Sequence, residues 1–130
     1  MPRTVYPILQ YRDPRAAIDW LERAFGLERS AVHEAPGGTV AHAELRHGDG
    51  MIMLGSAAAD GGRFGDHAGQ EWIYLVVEDA DAHFERARAA GAEIVMELTD
   101  QDYGSRDYSA RDLEGNLWSF GTYRPQTGGG

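Results

Sequence analysis

His47-Gly48-Asp49-Gly50-Met51-Ile52-Met53-Leu54-Gly55 and Leu113-Glu114-Gly115-Asn116-Leu117-Trp118-Ser119-Phe120-Gly121 carry one pattern twice, 66 residues apart. Each is a turn, a short apolar strand and a closing glycine. Outward from these stretches the match continues. Asp13 pairs with Asp79, each just before a helix. Val5 to Gly55 and Glu71 to Gly121 then both read as strand, acidic cap, amphipathic helix and hairpin strands. Such internal repetition decides the architecture before any residue is interpreted. Two similar βαβββ halves build a pseudo-symmetric cleft, and whatever lines that cleft should recur at the same offset.

In the first half, Val5 to Tyr11 reads as a strand. Asp13 is an N-cap and Pro14 sits at the first helical position. Ala17, Ile18, Leu21, Ala24 and Phe25 form the apolar stripe of the helix, and Gly26 stops it. Arg29 to Glu34, Thr39 to Arg46 and Met51 to Leu54 are the remaining strands. In the second half, Trp72 to Val77 is a strand, Asp79 caps a helix from Ala80 to Ala90, and Gly91 ends it. Ala92 to Leu98, Arg106 to Ala110 and Leu117 to Tyr123 complete the set. His83 falls on the exposed side of the second helix in this reading.

The expected class is α+β: two βαβββ modules in tandem forming a curved mixed sheet with a cleft, the helices on its outer face. Module one covers about 4–55, a linker 56–70, module two about 71–123, and a disordered tail 124–130, within one domain. Strand alternation assigns faces. Ile73, Leu75 and Val77 turn to the helix, as do Ile52, Leu54, Trp118 and Phe120. Tyr6, Ile8 and Gln10, Trp72, Tyr74 and Val76, and Met51, Met53, Leu117 and Ser119 turn to the cleft.

The chain has 130 residues and 42% hydrophobic content, enough for one real core. It contains no cysteine, which excludes disulfides, thiolate nucleophiles and thiolate metal sites. All twelve basic residues are arginine, so Schiff-base chemistry and a lysine base are excluded too. The net charge of −9 opposes a nucleic-acid surface and would favour a cationic guest. No apolar run approaches the roughly 18 residues of a membrane span, and the start lacks a signal pattern. The expectation is a soluble cytoplasmic protein with neither nucleic-acid nor membrane partners.

The stretches Tyr11-Arg12-Asp13-Pro14-Arg15-Ala16-Ala17-Ile18-Asp19-Trp20-Leu21 with Phe25-Gly26-Leu27, Glu78-Asp79-Ala80-Asp81-Ala82 with Gly91-Ala92, and Arg111-Asp112-Leu113-Glu114-Gly115-Asn116-Leu117-Trp118-Ser119-Phe120 resemble the vicinal oxygen chelate superfamily. That superfamily includes glyoxalase I, extradiol dioxygenases and the fosfomycin- and bleomycin-resistance proteins. Its enzymes hold a divalent metal with His, Gln or Glu at four positions. The positions that match here are Tyr6, Met53, Trp72 and Ser119, which are not such ligands. The resemblance therefore leans towards the metal-free, bleomycin-resistance type. It implies a homodimer, with modules paired within a chain or exchanged between chains, that sequesters an aromatic or cationic antibiotic-like molecule without altering it. No metal and no cofactor are expected, and no catalytic residue is assigned. Tyr6, Trp72 and Tyr74 would stack on the guest, Met51 and Met53 would adapt to its shape, and Ser119 would lie among them. Tyr103 and Arg106 border the cleft in related proteins.

Other readings stand beside this one. His42 and Glu44 share a strand face with His47 nearby, and with His67 they are the donors for a displaced metal site in a lyase, isomerase or dioxygenase. Tyr6, Tyr103 or Glu44 could serve a metal-free enzyme as acid or base. Trp72 and Tyr74 could instead simply fill a core. Trp20 and Trp118 read as core or interface, and Asp112 and Asn116 as turn-formers.

Overall fold

The computed structural model describes residues 4–57 and 65–125. Its elements run β1 (Ile8–Tyr11), α1 (Pro14–Phe25), β2 (Glu28–Glu34), β3 (Val40–His47), β4 (Gly50–Ser56), β5 (Trp72–Val76), α2 (Ala80–Ala89), β6 (Glu93–Asp100), β7 (Arg106–Arg111) and β8 (Leu117–Gly121). This is the βαβββ repeat in tandem. Each module has its own four-stranded mixed sheet, ordered β1-β4-β3-β2 and β5-β8-β7-β6. The first strand of each module lies parallel to its last, and the other pairs are antiparallel.

The register repeats as closely as the sequence. Ile8 stands opposite Met53 and Leu9 opposite Leu54, as Tyr74 stands opposite Ser119 and Leu75 opposite Phe120. The match slips by one in the hairpins. Glu44 faces Met53, but Ser109 faces Ser119, because the β7–β8 turn is one residue longer than the β3–β4 turn. The outermost strands are bulged. β2 carries an extra residue at Ser30 and β6 one at Val95, and each pair has a second shift, between His33 and Glu34 and between Met96 and Thr99.

Both helices start where an aspartate caps them. Asp13 accepts from the Ala16 N–H at 3.1 Å and Asp79 from the Ala82 N–H at 3.0 Å. Each cap contributes about 1 kcal/mol. Gly26 closes α1 at φ +76°, a left-handed conformation that glycine adopts without steric cost. β1 is shorter than the apolar run suggested. Pro7 has no N–H to donate, so the strand begins at Ile8, although the Pro7 carbonyl still accepts from the Met53 N–H at 2.9 Å.

One core joins the modules. Leu9, Tyr11, Leu21, Phe25, Leu54, Tyr108, Trp118 and Phe120 are fully buried, and α1 packs on α2. Trp20 and Trp118 belong to this core. The helix-facing assignments of Ile52, Leu54, Ile73, Leu75, Val77, Trp118 and Phe120 hold, since all seven lie in or against it.

His83 departs from expectation. Instead of facing solvent it is half-buried at the seam between the modules, 2.8 Å from the Phe25 carbonyl and 2.5 Å from the Tyr108 hydroxyl. The carbonyl can only accept, so Nε2 carries the proton and Nδ1 accepts from Tyr108. Local periodicity did not show this because the partner carbonyl comes from the other module. Ser56, assigned to the linker, is the last residue of β4 and pairs with Tyr11. Part of the linker, 58–64, and most of the tail, 126–130, lie outside the described residues. Among the described residues no helix is long and apolar enough to cross a membrane.

Candidate functional site

The open face of module two gathers a hollow of about 490 Å3 lined by Trp72, Tyr74, Met96, Tyr103, Asp107, Ser109, Ser119, Tyr123 and Pro125. Strand alternation places Trp72 and Tyr74 on this face of β5, opposite the core-facing Ile73 and Leu75. Trp72 is 72% exposed, which is unusual for so large an apolar ring. It is nonetheless anchored. Its Nε1–H donates to Ser119 Oγ at 3.0 Å, and Ser119 Oγ lies 2.8 Å from Ser109 Oγ on the neighbouring strand.

The aromatic wall continues through the end of β8. The Tyr74 hydroxyl donates to the Tyr123 carbonyl at 2.6 Å, and the Tyr123 N–H donates to Ser105 Oγ at 2.9 Å. Tyr103 packs edge-on against Tyr123, with ring centroids 5.3 Å apart. Its hydroxyl donates to Asp107 Oδ2 at 2.9 Å, and the Ser105 hydroxyl bonds the other oxygen of the same carboxylate. Asp107 is buried, and the place it occupies exists because residue 121 is glycine. A Cβ there would lie 2.0 Å from Asp107 Oδ1 and 2.8 Å from the Tyr74 hydroxyl.

Burial, with the Asp107 charge behind it, pushes the Tyr74 phenol up, and the hydrogen bond to Asp107 does the same for Tyr103. Both phenols therefore stay protonated near neutral pH. In that state they are hydrogen-bond donors and ring surfaces, not bases.

Tyr74, Trp72, Tyr103 and Ser119 thus lie together. The other residues proposed from sequence lie elsewhere. Met53 is on the open face of module one, beside Ile8 and Glu44. Met51 sits beside Arg46 on the same pair of strands. Tyr6 is 38% exposed just ahead of β1. The Arg106 guanidinium is held by Asp81 at 2.6 Å and Asp100 at 3.0 Å. His42 Nε2 lies 2.9 Å from the Glu44 carboxylate, also on module one. The His47 ring bonds the Val76 carbonyl at 2.6 Å, and the His67 N–H donates to Gln10.

Sequence reasoning missed Met96, Asp107, Ser109, Tyr123 and Pro125. Plain alternation groups Met96 with Ile94 and Leu98, which pack on the core. Register shifts on both sides of Met96 turn it to the open face instead. The longer β7–β8 turn hides Ser109, because counting back 66 residues reaches the buried Ala43 rather than Glu44.

The set Tyr6, Met53, Trp72 and Ser119 does not fit a hard divalent metal. A thioether is a soft donor, and a protonated indole nitrogen has no lone pair to offer. Among the described residues no three His, Cys, Asp or Glu side chains gather to hold an ion.

A model of the glyoxalase/bleomycin resistance protein/dioxygenase superfamily matches residues 3–120. The crystal structure of TioX from Micromonospora sp. ML1 is 35% identical with a TM-score of 0.75, covering 96% of this chain and 99% of that one. An uncharacterized protein of Mycobacterium tuberculosis is 34% identical over 121 residues, 88% of this chain and 71% of its own length. A lactoylglutathione lyase from Agrobacterium tumefaciens superposes with a TM-score of 0.68 over 92% of this chain and 93% of its own. At 22% identity that likeness is one of fold.

Proposed function

This chain belongs to the glyoxalase/bleomycin resistance/dioxygenase superfamily, and on that premise we propose that it binds a flat aromatic, cationic small molecule without transforming it. The observation that carries this is the Trp72 indole, exposed on the open face yet pinned by Ser119. An aromatic plane held ready in solvent costs little further ordering when a guest stacks on it. Tyr74, Tyr103 and Tyr123 extend the stacking surface. The buried Asp107 carboxylate and the net charge of −9 favour a positive guest.

Sequestration needs enclosure, and module two supplies only one wall. The second wall in this proposal is the open face of module one from a partner chain, bringing Met51, Met53 and Tyr6 to the guest. The mismatch between the donor set and a hard metal supports binding over metal-assisted chemistry.

Calorimetric titration with a fused-ring cation such as 9-aminoacridine tests the reading. Trp72→Ala should weaken binding about tenfold or more, the scale of a lost hot-spot ring, and leave the unfolding midpoint nearly unchanged. Unaltered affinity would remove Trp72 from the site. Elemental analysis after incubation with divalent metals tests the competing reading. About one retained ion per subunit would move attention to His42, Glu44 and His67.

A further inference from the structure

The two modules meet at two pseudo-equivalent joints, and the described residues fill only one of them. In the filled joint the β7–β8 turn docks on the junction of β1 and α1. Asp112 heads that turn and accepts from the Tyr11 hydroxyl at 2.6 Å and the Trp118 Nε1–H at 3.0 Å. Glu114 accepts from the N–H groups of Arg12 at 2.6 Å and Asp13 at 2.8 Å. Tyr11, Trp118, Asp112 and Asn116 are all buried there.

In the second joint the β3–β4 turn meets the junction of β5 and α2. His47 heads this turn and bonds the Val76 carbonyl. Four of the residues that fill the first joint have smaller counterparts 66 positions away in the second. Val77 stands for Tyr11, Ile52 for Trp118, Gly48 for Glu114 and Gly50 for Asn116. All four of these small residues line a hollow of about 830 Å3. Its floor is apolar and includes Phe25, Leu45, Ile73 and Leu75, on the helix side of β5 and away from Trp72.

We infer that this second joint is a binding site for a neutral aromatic ring bearing one hydrogen-bond donor, a phenol or an indole. The ring takes the volume that Tyr11 and Trp118 fill in the first joint. The donor meets His47, the residue placed as Asp112 is. Because His47 Nε2 must donate to the Val76 carbonyl, Nδ1 is the ring's acceptor. Asp49 and Glu78 on the rim disfavour an anion, and the Arg86 guanidinium is already bonded to the carbonyls of Glu22 and Arg23.

The probes are p-cresol and indole, the side chains of tyrosine and tryptophan as free molecules. Millimolar amounts of either should raise Tm of the full chain by a few degrees and give NOEs from the probe to the methyl groups of Ile73, Leu75 and Val77. Val77→Tyr and Ile52→Trp, each refilling the hollow, should abolish the response while leaving 9-aminoacridine binding intact. Trp72→Ala should do the reverse. The inference fails if the wild-type response is absent, or if NOEs appear only at Trp72 and Tyr103. It also fails if the response survives both filling variants, or if those variants instead dissociate a dimer, which would show that a second copy covers the hollow. Should neither variant fold, the NOE pattern of the wild-type chain decides alone.

Discussion

Asp112 accepts hydrogen bonds from Tyr11, Asn116 and Trp118 through one oxygen, and from the N–H groups of Glu114 and Asn116 through the other. These donors come from both modules. The proximity of the charge and burial together push the Tyr11 phenol far above its ordinary range, burial being the larger cause, so that it remains a donor. Removing the carboxylate would strand several buried donors. Asp112→Ala should therefore cost roughly 3–5 kcal/mol, the scale of breaking a buried charged network. Urea denaturation checks this, and a loss below about 1 kcal/mol would mean that water replaces the carboxylate. The sequence showed Asp112 and Asn116 as turn-formers, which they are. It did not show the bond to Tyr11, because the two residues are 101 positions apart and nothing local couples them.

At the scale of elements, α2 depends on its neighbour from the other module. Its buried residues are only Ala80, Phe84 and Ala87, a thin stripe for a helix of ten residues. His83 supplements that stripe by bonding the end of α1. Desolvation lowers the His83 pKa in the folded chain, outweighing the favourable bond to the Phe25 carbonyl. Between the lowered value and the ordinary value near 6.5, the unfolded chain binds more protons than the folded one. Stability should thus be full above about pH 6.5 and decline as the pH falls below it. Unfolding midpoints measured between pH 8 and pH 5 should show this decline, and His83→Gln should flatten it. An equal slope in both proteins would assign the acid sensitivity to other groups. The elements themselves were legible because caps, glycine stops and alternation are local signals. Strand β1 began later than its apolar run because Pro7 brings no N–H, and only the ladder shows that pairing needs a donor there. The floor of the site was illegible because bulges and turn lengths set it, and composition does not announce them.

Taken whole, the chain leaves several large apolar side chains in water. Val5 is 80% exposed, Ile8 63% and Trp72 72%, along the first strands of the two modules. Such side chains fit the partner contact proposed above. The expected assembly is a homodimer in which each open face meets the other chain. Light scattering at micromolar concentration should give twice the 14.3 kDa chain mass. Ile8→Asp should shift it towards the monomer and weaken 9-aminoacridine binding in parallel. A wild-type monomer that still binds the cation would separate the two proposals. The 66-residue repeat made the tandem architecture readable, and of the hollow it brought out Trp72, Tyr74 and Ser119. Assembly was beyond it, since both open faces carry polar and apolar residues alike.

The bulges at Ser30 and Val95 bear on the fate of this chain at high concentration. Each sheet has two free margins, the short β1 or β5 on one side and the longer β2 or β6 on the other. The longer margins are the dangerous ones, because a flat row of unpaired amides templates fibrils. Kinked at Ser30 and Val95, they present no flat row. Strand-to-strand growth is left only the four residues of β1 and the five of β5. The same irregularity that turns Met96 into the hollow therefore also blunts the β6 margin against strand addition.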